Sequence, residues 1–387
     1  MNKIGYFFST ICIALVLILN ATSMRAQAGK NKVFVLIGSH ETGPGKGFSL
    51  ATFDTVSGML STPHFIAEAA APSYFEISKY KKFLYSCNSI TDFMGKKEGA
   101  VSAFSLDRKT GKLSLINQKL SAGENPCHVS LDKTGKFLFA ANYNSGSVVA
   151  YRILSDGSLG EKTGFDQHSG SSIDPDRQEG PHAHCIKVDP TNHFVLATDL
   201  GTDKLMVYKF NSETGSFEAN DPAFAKVTPG LGPRHFTFHP NGKYCYLLNE
   251  MGGKIVVFSW NSNKGVLTEL QTISTLPQNF AGYNKSAEIR VHPSGKFLYC
   301  TNRGPNTIAV FSIDKSTGKL TYMEEVPTKG DMPRNFDFDP SGKWLVVTNH
   351  DGNNAVVFRI DVKTGKLTQN GEPVSVHNPF RLAFLVP

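Results

Sequence analysis

Short apolar segments separated by turn residues run along almost the whole chain, and their length and spacing predict β-strands. Segments such as Trp344–Thr348 and Ala355–Arg359 are rich in β-branched and aromatic residues and are bounded by Gly-, Pro- and Asp-containing turns. One phrase recurs with variations: a strand, a turn such as Asp-Pro-x-Gly-Lys, a second strand usually ending in Asn, a third strand, and a turn such as Thr-Gly-Lys-Leu. The glycine of the last element stands at seven positions: Gly58, Gly111, Gly157, Gly215, Gly265, Gly318 and Gly365.

The spacing of these copies, about 50 residues, is typical of propeller blades and solenoid units. Each copy holds four strand-like segments, and a four-stranded antiparallel unit repeated around an axis is a propeller blade. The sequence therefore predicts an all-β fold, a seven-bladed β-propeller.

The two ends of the chain are expected to complete the last blade together. Pro379–Phe384 matches the innermost strand of a blade, with no further strand after it. Val33–Ile37, Phe48–Phe53 and Pro63–Ala67 match the other three strands, with no innermost strand before them. Pairing the two sets closes the ring and removes the open sheet edges.

The first 28 residues do not fit the repeat and are predicted to be a secretory signal peptide. Lys3 precedes an apolar run over residues 11–19, and Ala26–Ala28 has the small-x-small form of a cleavage site. The run is too short to span a bilayer. We therefore expect a leader over residues 1–28 and a propeller over residues 29–387, periplasmic or secreted and free of the membrane.

The charge and the cysteines of the mature region exclude several classes of partner. Removal of Lys3 and Arg25 with the leader lowers the formal charge from +7 to +5, and the remaining excess forms no basic block, which disfavours nucleic acid. Five cysteines remain, mostly within strand segments and without a Cys-x-x-Cys motif, so we expect buried thiols. We expect a monomer with no metal or other cofactor.

Two polar columns of the repeat are predicted to meet at one opening of the central channel. One column follows the residue that closes each second strand, which is Asn in most copies. The other is the pair of residues after the one that opens each innermost strand, which is Pro in most copies. Because neighbours on a strand point to opposite faces, we expect only some of them to reach the channel. The first column reads Ser39, Ser89, Tyr143, Leu200, Glu250, Arg303 and His350. In the paired column, the first residues are Ser73, Cys127, His184, Arg234, Ala287, Arg334 and Phe380. The second residues are Tyr74, His128, Cys185, His235, Glu288, Asn335 and Arg381.

The longest link between blades, Gly160–Pro181, is polar and is predicted to be a lid or binding loop over this opening. His182 and His184 follow it on what is expected to be one side of a strand. Such a pair could also hold a metal, but no third ligand stands out. The opening therefore has the charge and imidazole content of a polar ligand site.

Five stretches carry a resemblance to a known family: Gly170–His184, Gly232–His235, Leu248–Glu250, Ser286–Gly304 and Pro333–Phe336. They resemble the lactonase family of seven-bladed propellers, the group of bacterial 6-phosphogluconolactonase and of the carboxymuconate lactonizing enzyme. The resemblance extends over essentially the whole mature chain. It implies a hydrolase that opens a small anionic sugar lactone and needs no cofactor.

The same motifs imply which side chains surround the cleft. The candidate catalytic residues are Glu250, His182, His184 and Arg234. The candidate substrate-binding residues are Arg303, Arg177, Gln178, Arg334 and Glu288.

The chemistry of lactone opening suggests roles for some of these residues. Arg234 and Arg303 suit the binding of an anion and the stabilisation of an oxyanion. Glu250, or a histidine of the pair 182 and 184, would take the proton from water, although Glu250 could instead brace Arg234. Two other functions stay open: a muconate-type cycloisomerase that uses the same cleft, and a non-catalytic exported binding propeller.

Overall fold

Twenty-nine β-strands form all the regular secondary structure of residues 31–385, the part of the chain that this computed structural model describes. They assemble into seven antiparallel sheets, six of four strands and one of five, so the predicted seven-bladed propeller is confirmed. The predicted leader, residues 1–28, lies outside the described residues. Within residues 31–385 there is no helix that is long and apolar enough to cross a membrane.

Six blades are each formed by consecutive strands. The first three comprise β4 (Phe75–Ile77), β5 (Phe83–Asn88), β6 (Ala100–Leu106) and β7 (Leu113–Leu120), then β8 (Pro126–Leu131), β9 (Phe137–Asn142), β10 (Ser147–Ile153) and β11 (Leu159–Gln167), then β12 (Ala183–Val188), β13 (Phe194–Asp199), β14 (Lys204–Phe210) and β15 (Phe217–Lys226). The next three comprise β16 (Pro233–Phe238), β17 (Tyr244–Asn249), β18 (Lys254–Asn261) and β19 (Val266–Ser274), then β20 (Lys285–Val291), β21 (Phe297–Arg303), β22 (Thr307–Ile313) and β23 (Leu320–Pro327), then β24 (Pro333–Phe338), β25 (Trp344–Asn349), β26 (Asn354–Ile360) and β27 (Leu367–Gln369), with β28 (Val374–Ser375) also on β26.

The seventh blade is closed by both ends of the chain, as the sequence predicts. β29 (Pro379–Leu385) pairs antiparallel with β1 (Lys32–Ser39), and β2 (Gly47–Asp54) and β3 (His64–Glu68) complete the sheet. The innermost strand of this blade therefore comes from the C-terminal end of the chain, so the ring has no open edge at this joint.

The recurring glycine of each outer hairpin is explained by packing between neighbouring blades. Gly157 has a φ of 86°, and a Cβ on it would lie 2.2 Å from the ring of Phe83 in the preceding blade. Gly318 and Tyr244 repeat the arrangement at 2.4 Å, and the hydroxyl of Tyr246 donates to the carbonyl of Gly318. Only glycine combines this backbone conformation with so close an approach, which is why the residue recurs.

The core lies between the blades, where apolar faces of adjacent sheets pack together. Cys87, Cys185, Cys245 and Cys300 are buried there as thiols, as the sequence predicts. Cys127 differs, because it lies on the innermost strand β8 and is only partly buried. Cys127 stands at the start of its strand, and its side chain faces the central channel.

A β-bulge at the start of six of the seven innermost strands changes which side chains face the channel. In β16, Pro233 lies opposite Asn249 and His235 lies opposite Leu248, so Arg234 is an extra residue without a partner of its own. Equivalent register shifts occur in β8, β12, β20, β24 and β29. Because a bulge breaks the strict alternation of a strand, two consecutive residues can face the same side.

Candidate active site

A cleft of about 300 Å³ opens at the end of the central channel where the innermost strands begin. It is the predicted meeting point of the two polar columns. Its lining residues are His40, Ser73, Tyr74, Ser89, Asn125, Cys127, Tyr143, Arg177, His184, Arg234, His235, Glu250, Tyr283, Lys285, Arg303, Met332, Arg334, Asn335, Phe380 and Arg381.

Only some members of the columns line the cleft, as the sequence predicts, and Leu200, Ala287 and His350 are among those that do not. Strict alternation along the strand is nevertheless not what selects them in several blades. Arg234 and His235 both line the cleft, and so do Arg334 and its neighbour Asn335. The bulges are the physical reason, because each inserts one extra residue at this position. Polar side chains at consecutive positions therefore reach the cleft in these two blades.

One buried carboxylate holds three arginines at the centre of the cleft. Glu250 follows β17, and its Oε2 lies 3.0 Å from Nη1 of Arg234 and 2.7 Å from Nη2 of Arg303. Its Oε1 accepts a hydrogen bond of 2.8 Å from Nη2 of Arg177, which also donates to the hydroxyl of Tyr143. Two strands, β16 and β21, and the loop before β12 therefore each bring an arginine to this one side chain.

This arrangement fixes the charge of Glu250. Burial alone would raise the pKa of its carboxyl, but Arg303 and Arg234, with weaker contributions from His184 and Arg177, hold that pKa well below its ordinary value. Glu250 is therefore an ionised acceptor of hydrogen bonds near neutral pH. Such a carboxylate is a weak base for the proton of a water molecule.

Arg334 differs from the three arginines on Glu250. Its guanidinium stacks on the ring of Phe380 at 4.6 Å, and it makes no ion pair or hydrogen bond with any residue of the described range 31–385. Burial and the neighbouring Arg303 and Arg234 lower the pKa of Arg334 to about 9. An incoming anion would give this cation the partner that the protein does not supply.

His184 lies on the bulge of β12 with both ring nitrogens in contact with the protein. Its Nε2 accepts from Nη1 of Arg234, and its Nδ1 lies 3.7 Å from Sγ of Cys127. Burial, followed by the charge of Arg234, lowers the pKa of His184 well below its ordinary value. The imidazole is therefore neutral near pH 7.

His182 and Gln178 support the long loop instead of facing the cleft. The ring of His182 stacks on Tyr143 at 4.6 Å, and its Nδ1 lies 3.0 Å from the carbonyl of Tyr143. Gln178 is fully buried, and its amide donates to the carbonyl of Leu200 and to the carboxylate of Asp203. These contacts shape the loop that carries Arg177, so both residues can affect the cleft only indirectly.

Glu288 lies beneath the floor of the cleft, not on its surface. Its Oε1 is 3.4 Å from Nδ1 of His235 and 3.9 Å from Nε of Arg290, and its Oε2 accepts from the side-chain amide of Asn335. Burial alone would raise the pKa of Glu288, but Arg290 and His235 hold it well below its ordinary value. In this structure Glu288 contacts only protein groups, and the substrate contact expected from the sequence stays a prediction.

Several lining residues were not among the candidates from sequence. His235, Arg381, Tyr74 and Tyr143 belong to the polar columns of the repeat, so a signal for them was present. Lys285 lies at the start of β20, and no motif pointed to it. The cleft thus holds six basic residues, and Glu250 is the one acidic residue among the described residues that line it.

The fold and the cleft define a propeller enzyme, and comparison with known proteins gives its family. Residues 34–384 match the family model described as "Lactonase, 7-bladed beta-propeller". The chain therefore belongs to the lactonase family of seven-bladed β-propellers, as its motifs indicate. The predicted class of enzyme, a carboxylic ester hydrolase that opens lactones, is confirmed.

Individual relatives cover most of the chain. A 6-phosphogluconolactonase of Bacillus subtilis is 36% identical over 303 residues, which are 78% of this chain and 84% of the relative. A 6-phosphogluconolactonase of Formosa agariphila is 38% identical over 300 residues, 76% of this chain and 83% of the relative. The structure of a periplasmic gluconolactonase from Pseudomonas aeruginosa has a TM-score of 0.87 at 30% identity, with 92% of this chain and 99% of that chain covered.

Proposed function

We propose that this enzyme hydrolyses a small anionic sugar lactone of the aldonolactone type, and that it does so outside the cytoplasm after removal of residues 1–28. The observation that carries the proposal is the charge of the cleft. Six basic side chains face one carboxylate, which three of the arginines already share. A cleft of this size and charge suits a substrate with a carboxylate or phosphate group.

Arg334 would anchor the substrate anion. It is stacked on Phe380, has no acidic partner within residues 31–385, and lies close enough to Arg303 and Arg234 for their charges to lower its pKa. An anion relieves that repulsion and can accept two parallel hydrogen bonds from the guanidinium. Lys285, which also lines the cleft, adds a second positive charge for a substrate with a phosphate group.

Arg234 and Arg303 would stabilise the oxyanion that forms when water attacks the lactone carbonyl. Glu250 holds one terminal nitrogen of each, Nη1 of Arg234 and Nη2 of Arg303. The other terminal nitrogens, Nη2 of Arg234 and Nη1 of Arg303, make no hydrogen bond to a described residue. Prearranged donors of this kind stabilise developing negative charge without reorganisation.

Glu250 would act by positioning these arginines, and a neutral imidazole would accept the proton of water. Of the two predicted histidines, His184 lines the cleft and His182 does not. His235 on the floor is a further neutral candidate, because burial lowers its pKa to about 4. Hydrolysis then needs water, a neutral imidazole and the arginines, all of which this cleft can bring together.

The relatives support the same substrate class and location. Those in Bacillus subtilis and Formosa agariphila are named for a phosphorylated sugar lactone, and the Pseudomonas aeruginosa protein is named as a periplasmic gluconolactonase. The sequence of residues 1–28 matches an export signal. We therefore propose that the exported enzyme acts on a lactone of the gluconolactone type. The monomeric state expected from the sequence stays a prediction.

The proposal is tested by assaying purified residues 29–387 against a panel of aldonolactones, each with and without a phosphate group. Acid release is followed in a pH-stat and compared with spontaneous hydrolysis in the same buffer. We expect catalysed opening of at least one member of the panel, and a parallel search for ring closure of muconates tests the cycloisomerase alternative. No acceleration on any lactone would overturn the proposal.

Amino-terminal sequencing of protein recovered from outside the cytoplasm tests the export, and a start at residue 29 is expected.

A further inference from the structure

A carboxylate–imidazole pair, Glu288 and His235, lies at the bottom of the cleft. His235 follows the bulge residue Arg234 on β16 and lines the cleft, although only 3% of its surface is exposed. Its Nδ1 is buried and lies 3.4 Å from Oε1 of Glu288 on the neighbouring blade. This separation is long for a hydrogen bond, and such contacts at active sites often tighten when substrate binds.

Glu288 is held in place by groups other than His235. Its Oε2 accepts from Nδ2 of Asn335, and its Oε1 accepts a 3.2 Å hydrogen bond from the backbone amide of Ile289. The guanidinium of Arg290 lies 3.9 Å from the same Oε1 and keeps the carboxyl ionised. The carboxylate therefore presents a fixed negative charge to one nitrogen of the imidazole, which favours the tautomer with its hydrogen on Nδ1.

The two histidines of the cleft floor differ in which nitrogens are available. Both nitrogens of His184 contact protein groups, Nη1 of Arg234 and Sγ of Cys127. Nε2 of His235 makes no hydrogen bond to any residue in the described part of the chain, and it is not among the buried nitrogens without a partner. His235 is therefore the imidazole whose acceptor nitrogen remains available at the cleft.

We propose that His235, oriented by Glu288, is the general base and acid of lactone opening; this rests on the proposed function. A water oxygen bonds to the lactone carbonyl carbon while Nε2 of His235 takes one of its protons, and the carbonyl electron pair moves to the oxygen near Arg234 and Arg303. Collapse of this intermediate breaks the ring C–O bond. The imidazolium returns the proton to the leaving ring oxygen, which gives the open hydroxy acid.

The first test separates this role from simple packing by comparing two buried histidines. We expect His235→Asn to lower kcat by at least about 100-fold with KM changed less than about threefold. His128 is the matched control, since it is also buried on an innermost strand, with its ring 5.5 Å from that of His235, but it does not line the cleft. His128→Asn should retain kcat within about fivefold of wild type.

Two further variants keep the test decisive if His235→Asn folds poorly. Glu288→Gln offers an amide N–H to Nδ1 of His235, which favours the tautomer with its hydrogen on Nε2. Because Nε2 then cannot accept a proton from water, we expect kcat to fall about tenfold or more with KM unchanged. His235→Ala should regain activity when imidazole is added, whereas wild type and His128→Asn should not respond.

A folded His235→Asn with wild-type kcat, or a Glu288→Gln with wild-type kcat, overturns the inference while leaving the lactonase proposal intact. A wild type that is inactive on every lactone overturns the proposed function first.

Discussion

Glu250 and Arg234 form an ion pair across the opening of one blade, with 3.0 Å between Oε2 and Nη1. Glu250 follows the second strand of that blade, and Arg234 is the bulge residue of its innermost strand. The pair exists because the bulge turns Arg234 toward the channel, where the end of the second strand already lies. A carboxylate in this setting holds the arginines in place instead of taking a proton from water.

Glu250→Gln should damage binding and stability more than turnover. The substitution keeps the shape but leaves Arg177, Arg234 and Arg303 without their shared counter-charge, and breaking a buried ion pair costs about 3–5 kcal/mol. We expect Tm to fall by several degrees and KM to rise about tenfold or more, while kcat falls by less than about tenfold. Calorimetry and steady-state kinetics measure these effects. A kcat reduced 100-fold at unchanged KM would show that Glu250 is the base.

Arg334→Ala should raise KM strongly without destabilising the protein. The side chain makes no ion pair within residues 31–385, and its removal relieves repulsion from Arg303 and Arg234, so Tm should stay constant or rise. We expect KM to rise about tenfold or more, with partial recovery in Arg334→Lys, since lysine lacks the two-pronged geometry. Arg108→Ala, in the exposed outer hairpin of another blade, is the control and should change neither value. An unchanged KM in Arg334→Ala would remove this residue from the substrate site.

Removal of residues 379–387 should unfold or aggregate the protein. These residues include β29, the innermost strand of the seventh blade, and its loss exposes the edge of β1 and part of the core around Leu382. We expect a loss of the cooperative melting transition, measured by circular dichroism, with aggregation seen by light scattering. A truncated protein that melts like the full-length chain would contradict the closure of the ring by β29.

Buried neutral histidines should make the protein less stable as the pH falls below about 6.5. Burial lowers the pKa of His235 to about 4, whereas an unfolded histidine titrates near 6.5. Between these values the unfolded chain binds more protons than the folded one, so the free energy of unfolding decreases as pH decreases from 6.5 to 4. His235→Asn should show a smaller drop in Tm over this range than wild type. His64→Asn, at an exposed position, should show the same drop in Tm as wild type. Equal drops in all three proteins would contradict the buried neutral state of His235.

The propeller could be predicted because its signal is repeated. Seven copies of one strand-and-turn phrase specify the blades, and the unmatched segments at the two ends specify how the ring closes. The recurring hairpin glycines, such as Gly157 against Phe83, are local requirements of that packing and are therefore visible in the sequence. The convergence of Arg234, Glu250 and Arg303 on one opening follows from the same repeat.

The bulges and the supporting contacts were not predictable in this way. A bulge shifts one residue in the register of a pair of strands, and nothing in the sequence around Arg234 or Arg334 shows that shift directly. Gln178 and Glu288 lie within the motif stretches Gly170–His184 and Ser286–Gly304, so the sequence alone predicts that they bind substrate. Their partners in the structure, Asp203 and Asn335, stand 25 and 47 residues away along the chain, and such pairings depend on the three-dimensional arrangement of loop and blades.

The most direct test of the account compares lactone hydrolysis by wild type and by Arg234→Ala, with both proteins confirmed as folded. Arg234 contacts Glu250 and His184 at the centre of the cleft, so its loss removes a donor to the oxyanion and loosens the arrangement around Glu250. We predict that wild type opens an anionic aldonolactone well above the spontaneous rate, and that kcat/KM of the variant falls by at least about 100-fold, the scale for loss of one oxyanion donor. Equal kcat/KM for the two proteins on a lactone that wild type clearly hydrolyses would show that this cleft is not the active site.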